Sequence, residues 1–133
     1  MRRHLALVLG FAMLSMVVPA AQTAIVSGDR STPLQPTTAA GNIGVSTATV
    51  RDAPEARVVR VLVDPGGVRA THSHDDVKFH LFVPISGPMT LDMDGAPSVV
   101  VQPWQPYSMT RGTKHGFHNP GSTPAEVLEI FIK

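Results

Sequence analysis

The sequence predicts an all-β fold, a small sandwich or barrel. Short apolar, β-branched runs recur through the chain after about residue 47, each closed by a turn signal. Twelve prolines and eleven glycines in 133 residues favour short elements over long helices. No stretch combines a sustained helical period, a good N-cap and enough length to be a helix.

The elements follow in order. VSTATV is β-branched. ARVVRVLVD is apolar and is expected to end at the turn Asp64-Pro65-Gly66-Gly67. KFHLFVPI runs to Ser86-Gly87-Pro88. MTLDMD alternates apolar and polar residues and turns at Asp94-Gly95-Ala96-Pro97. SVVV is a further strand, and WQPYSM a weaker one because prolines interrupt it. KHGFHN stops at Asn119-Pro120-Gly121. AEVLEIFIK closes the series, with Val127, Glu129 and Phe131 alternating against Leu128, Ile130 and Ile132. Strands with turns every eight to twelve residues or so are the mark of a sandwich or barrel.

The N-terminus reads differently. MRRH is a basic start, LALVLGFAMLSMVV an uncharged apolar run, and VPAAQ supplies small residues for cleavage. The other reading is an uncleaved anchor, but the run is short for a span of about 20 residues. Residues 1–20 are therefore expected to be a signal peptide and the mature protein periplasmic or secreted, with no stable membrane anchor after cleavage. His4 leaves with that segment. Residues 21–46, rich in Ser, Thr, Ala, Pro and Gly, are expected to be a flexible arm with room for a short strand near its end. Residues 47–133 form the domain. The net charge of +1 gives no electrostatic reason to expect nucleic acid. The chain has no cysteine, so core burial, a metal or a second copy must do what disulfides do in other small exported domains.

The chemistry sits in THSHDDVKFHLFVPISG, residues 71–87, where three of the six histidines fall: His72, His74 and His80. An HxH pair on extended backbone places both rings on one face, and His80 shares their parity. Neutral imidazoles converging on one point suit a transition metal. Downstream, TRGTKHGFHNPG holds GxxHxxxN, from Gly112 through His115 to Asn119.

These two segments resemble the two motifs of the cupin family, a single double-sheet jelly-roll barrel. In the first, G-x5-H-x-H-x3/4-E-x6-G, Gly66, His72, His74 and Gly87 fit. In the second, G-x5-P-x-G-x2-H-x3-N, Gly112, His115 and Asn119 fit. Three positions depart from the pattern. Thr110 stands for the proline, Trp104 for the first glycine, and no glutamate occupies the glutamate's place. Counting back from Gly87 puts His80 there; counting forward from His74 puts Lys78 or Phe79 there. A protonated lysine is repelled by a dication, so the resemblance implies a site of His72, His74, His80 and His115, with His80 as ligand or as structural pocket residue. His118 has the opposite parity to His115 and is read as surface or supporting residue, Asn119 as a turn residue. Phe82 and Phe117 share parity with His80 and His115, as barrel core or as an apolar wall of a substrate pocket.

The resemblance implies a divalent transition metal (iron, zinc, nickel, copper or manganese) and a small-molecule substrate or ligand. Three functions stay open: an enzyme of dioxygenase, isomerase or decarboxylase type; a non-catalytic module that binds metal or a small ligand; and a barrel with a purely structural metal. Asp75, Asp76 and Lys78 are base candidates by proximity in sequence alone. A homodimer is expected by the same resemblance. Processing can be checked first: exported protein should show, by mass spectrometry, a mature N-terminus near Ala21, and an intact Met1 would contradict it.

Overall fold

The computed structural model describes residues 32–133. The expected signal peptide lies outside the described residues. Nine strands follow in chain order: β1 (Gln35–Pro36), β2 (Ile43–Asp52), β3 (Ala56–His72), β4 (Phe79–Pro84), β5 (Met89–Met93), β6 (Ala96–Val101), β7 (Tyr107–Thr110), β8 (His115–His118) and β9 (Ala125–Ile132). The all-β expectation holds, and among the described residues no helix is long and apolar enough to cross a membrane. Part of the stretch read as an arm is in strands: β1 pairs with β2 at Ser46 and Thr47, and β2 begins at Ile43.

One sheet curls into a nearly closed barrel in the order β6-β5-β8-β3-β9-β4-β7, with β2 on β3 and β1 on β2. All pairings are antiparallel. The core follows from alternation. In β9, Ala125, Val127, Glu129 and Phe131 are buried while their neighbours are half-exposed. In β4, His80, Phe82 and Pro84 point inward. Val61, Val63, Phe82, Met89, Leu91, Phe117 and Val127 pack into one cluster. Phe82 and Phe117 meet there with ring centroids 4.8 Å apart.

The sequence reading is corrected at Asp64–Gly67. These residues do not end a strand, because β3 runs through them to His72. On β2, Val45 pairs with Val63 and Ile43 with Val68, so the extra residues are absorbed as a bulge opposite Gly44. The turn chemistry is real but serves to bend a continuous strand. Before the bulge β3 pairs with β9, and after it with β8.

Asn119 locks this corner. It is 2% exposed, its amide donates to the Val63 and Thr123 carbonyls at 3.0 and 2.8 Å, and its backbone exchanges hydrogen bonds with Gly66 and Gly67 at 3.1 Å each. The turn residue of the sequence reading is thus also a buried staple. Trp104, where the resemblance expects glycine, has φ of 63°, a conformation glycine adopts without strain.

Two glycines are required by close approach. A Cβ on Gly67 would lie 2.8 Å from the Asp64 carbonyl oxygen, and one on Gly116 would lie 2.7 Å from that of Arg69. Gly116→Ala should therefore push β8 from β3, beside the His72–His115 register pair. The expected cost is about 1–3 kcal/mol, read by chemical denaturation. An unchanged stability would show that the strands yield freely.

Candidate metal centre

Three strands and one loop bring the histidines together. His72 ends β3, His74 lies just beyond it, His80 is the second residue of β4, and His115 opens β8. Ring centroids are 4.9 Å apart for His72 and His74, 4.5 Å for His72 and His115, 5.2 Å for His74 and His80, and 4.8 Å for His80 and His115. All four residues named from the sequence thus share one neighbourhood. β9 adds Glu129, which sequence reasoning missed as a site residue. Its alternation with Val127 and Phe131 was the available signal, since it placed a carboxylate on the inward face of a strand.

One ligand atom each from His72, His74, His115 and Glu129 lies within 4.8 Å of the others. Atoms bound to one ion at about 2.0–2.2 Å stand up to roughly 4.4 Å apart, so small side-chain shifts suffice to close on a metal. His80 stands beside this set, with Nε2 3.5 Å from Glu129 Oε1.

The donor atoms are buried and unsatisfied. Nε2 of His72, His74, His80 and His115 and Oε1 of Glu129 have no hydrogen-bond partner. Each such group costs on the order of 1–3 kcal/mol when left unpaired. A cation that accepts all these lone pairs removes the cost, so the residues fit a metal. Two rings are aimed by backbone: Nδ1–H of His72 donates to the Ala70 carbonyl at 2.8 Å, and that of His115 to the Thr113 carbonyl at 2.9 Å. A carbonyl only accepts, so the proton is on Nδ1 and the Nε2 lone pair faces the cluster.

The electrostatics favour neutral imidazoles. Burial, reinforced by neighbouring histidines, lowers the pKa of His74 and of His115 to about 4, and burial also lowers that of His72. For Glu129 burial pushes the pKa up, but interaction with His80, then the charges of His72 and Arg69, outweigh it and the net direction is down. His72, His74 and His115 therefore present unprotonated ring nitrogens and Glu129 an ionised carboxylate, the states a metal needs.

A cavity of about 280 Å³ adjoins the cluster, with Thr47, Thr49, Arg57, Arg69, His74 and Glu129 in its walls. Phe131 also lines it and packs on the rings of His74 and His80 at 4.5 and 4.8 Å. Phe82 and Phe117, read as core or pocket wall, lie in the core cluster. Asp75, Asp76 and Lys78 are exposed and are not among the cavity's walls, and Asp76 pairs with Arg57 at 3.4 Å. His118 turns to Asp92, 3.2 Å away.

The comparisons with known proteins agree with this fold. Residues 59–131 match the family model described as the cupin domain, and the chain belongs to the cupin family. No curated protein matches the sequence. Among solved structures, a predicted oxalate decarboxylase from Thermotoga maritima superposes with TM-score 0.68 at 21% identity, over 77% of this chain and 93% of that one. The polyketide cyclase RemF from Streptomyces resistomycificus gives 0.67 at 20%, over 77% and 74%. A cupin domain from Bordetella pertussis gives 0.58 at 26%, over 68% and 94%.

The histidine shifts set a pH dependence for the metal-free protein. The folded pKa values lie below the unfolded value of 6.5, so as pH falls the unfolded chain binds protons first. Stability is then lost between about pH 6.5 and 4. Glu129 acts in the same direction, since its lowered pKa favours the folded state until it protonates. Thermal unfolding of chelator-treated protein should show Tm falling across that window, and a flat Tm would contradict buried neutral imidazoles.

Proposed function

We propose that this cupin is an exported, metal-dependent enzyme acting on a small organic substrate, of the oxidoreductase or of the isomerase/lyase class. One observation carries the reading: the cavity that could take a substrate has His74 and Glu129 in its own wall. A purely structural metal is expected to be enclosed by its ligands, with no space beside it for a second molecule.

His72, His74, His80 and His115 would hold a divalent transition metal, with Glu129 beside His80 supplying negative charge. Imidazole suits iron, zinc, nickel and copper, and the carboxylate extends the range toward manganese. A bound metal would supply Lewis-acid polarisation of a substrate oxygen, or redox chemistry if it is iron or copper. The chain's own part is to aim the rings through the Ala70 and Thr113 carbonyls and to wall the site with Phe131, which keeps water from one side. The homodimer expected from the sequence belongs to the same proposal. An apolar hollow with Val50, Val58, Ile85 and Leu128 in its walls supports it, as does Trp104, which also lines the hollow and is 70% exposed.

Metal analysis of the mature protein, purified without a metal-binding tag, is the test. It is followed by competition titration of variants and turnover assays with diketones, flavonols and small oxo-acids. His115→Ala and His80→Ala should each weaken metal binding by about tenfold or more, and His118→Ala should not. Glu129→Gln should weaken it and shift preference away from manganese. Full affinity in His80→Ala with loss in Glu129→Gln would move the fourth ligand to Glu129. A metal-free wild type would remove the proposal, and sedimentation as monomer alone would remove the dimer.

A further inference from the structure

The cavity contains two arginines in different electrical states. Arg57 is satisfied: it pairs with Asp76 at 3.4 Å, and its guanidinium lies 4.6 Å from the centre of the Phe131 ring. Arg69 is not. Its one hydrogen bond runs from Nη1 to the Thr37 hydroxyl at 3.4 Å, and among the described residues it makes no ion pair. Its Nε is buried without a partner. Arg69 also lines a second hollow of about 90 Å³ that includes His72, so it flanks the histidine cluster from two cavities. Glu129 in the same wall is near enough to feel the Arg69 charge but makes no ion pair with it, and once that carboxylate serves a dication, an anion between metal and guanidinium would offset both cations.

We propose that Arg69 is the recognition group for a small monocarboxylate, bound in the 280 Å³ cavity with the Thr47 and Thr49 hydroxyls as further donors. Guanidinium and carboxylate match as planar forks, and one unpaired cation suits one negative charge. Phosphate fits less well: a dianion calls for more donors or a helix N-terminus, and the described residues contain no helix. Val59 and Phe131 in the same walls give the body of the acid an apolar surface. This inference deepens the reading of a metal-dependent enzyme and rests on it for the function of the bound acid. The forked match of guanidinium to carboxylate does not need the metal, whereas Glu129 in the same wall opposes an anion until a metal offsets it.

Calorimetric titration of the mature protein, zinc-loaded and zinc-free, tests it. The probes are butyrate, lactate and benzoate, each with its neutral amide, and inorganic phosphate. At least one carboxylate should bind about tenfold or more tightly than its amide. Arg69→Gln should erase that preference while leaving zinc affinity equal or higher, because a cation beside the dication is removed. Arg69→Lys, which keeps the charge, should retain part of the preference, and Arg57→Gln most of it. Zinc-free protein should bind the acid more weakly but with the same dependence on Arg69. Equal binding of acid and amide in wild type, an unchanged preference in Arg69→Gln, or tighter binding of phosphate would each overturn the inference. Failure of zinc to bind the wild type would remove the metal reading instead, and the zinc-free titration would still decide the role of Arg69.

Discussion

The middle of this barrel is organised around a group of buried polar atoms left without hydrogen-bond partners. Four Nε2 atoms and Glu129 Oε1 face one region, and none has a hydrogen-bond partner. Lone pairs do not bond to lone pairs. A fold that gathers the acceptor Nε2 atoms of His72 and His115 and the Glu129 carboxylate in a low-dielectric interior loses several kcal/mol at that place, and a cation is the simple remedy. The carbonyls of Ala70 and Thr113 remove the alternative in which two rings turn their N–H groups inward. The strand ends are built to hold the acceptors in place before anything binds.

That arrangement depends on β3. A straight strand could pair with β9 or with β8 but not present His72 to both neighbourhoods. The bulge at Asp64–Gly67 lets the first half pair with β9, which carries Glu129, and the second half with β8, which carries His115. Asn119 fixes the bend from the far end of β8, so the bend and the second motif are one mechanical unit. Cysteine is absent from the chain, and residues far apart in sequence meet at this corner. A metal joining β3, β4 and β8 would add cross-links between strands that are otherwise tied by ladders and core packing.

Most of this fold was legible because strand period and turn chemistry are local properties. Alternation predicted β9 and β5, and the two motifs gathered His72, His74, His80 and His115. What was not legible depends on partners. Asp-Pro-Gly-Gly reads as a chain reversal, and only pairing of β2 on both sides of it turns the reversal into a bulge. Arg69 lies past that bulge, where simple parity counting from Val59 or Val61 no longer says which way a side chain faces. Arg57 and Arg69 reach one cavity because the strand bends between them. Glu129 is the opposite case, since its parity was readable but its partner His80, on a separate strand, was not.

The pair His80 and Glu129 also sets a carboxylate beside the histidines although the first motif itself contains none. The pattern sets a glutamate near the start of the strand after HxH, and on the count back from Gly87 that place falls on His80. A dication facing only neutral rings would have no negative charge in contact with it. Glu129 returns one from β9, and the register permits it: His80 pairs with Phe131 across the β4–β9 ladder, so Glu129, two residues along the same face, comes within 3.5 Å of the His80 ring. The carboxylate is missing from the motif as a line of sequence but present in the site as a point in space. Because β9 is the last strand, the charge at the centre is supplied by its docking between β3 and β4. β9 also joins β4 to β3, so a chain with an undocked β9 would lose both the carboxylate and the strand that places His80.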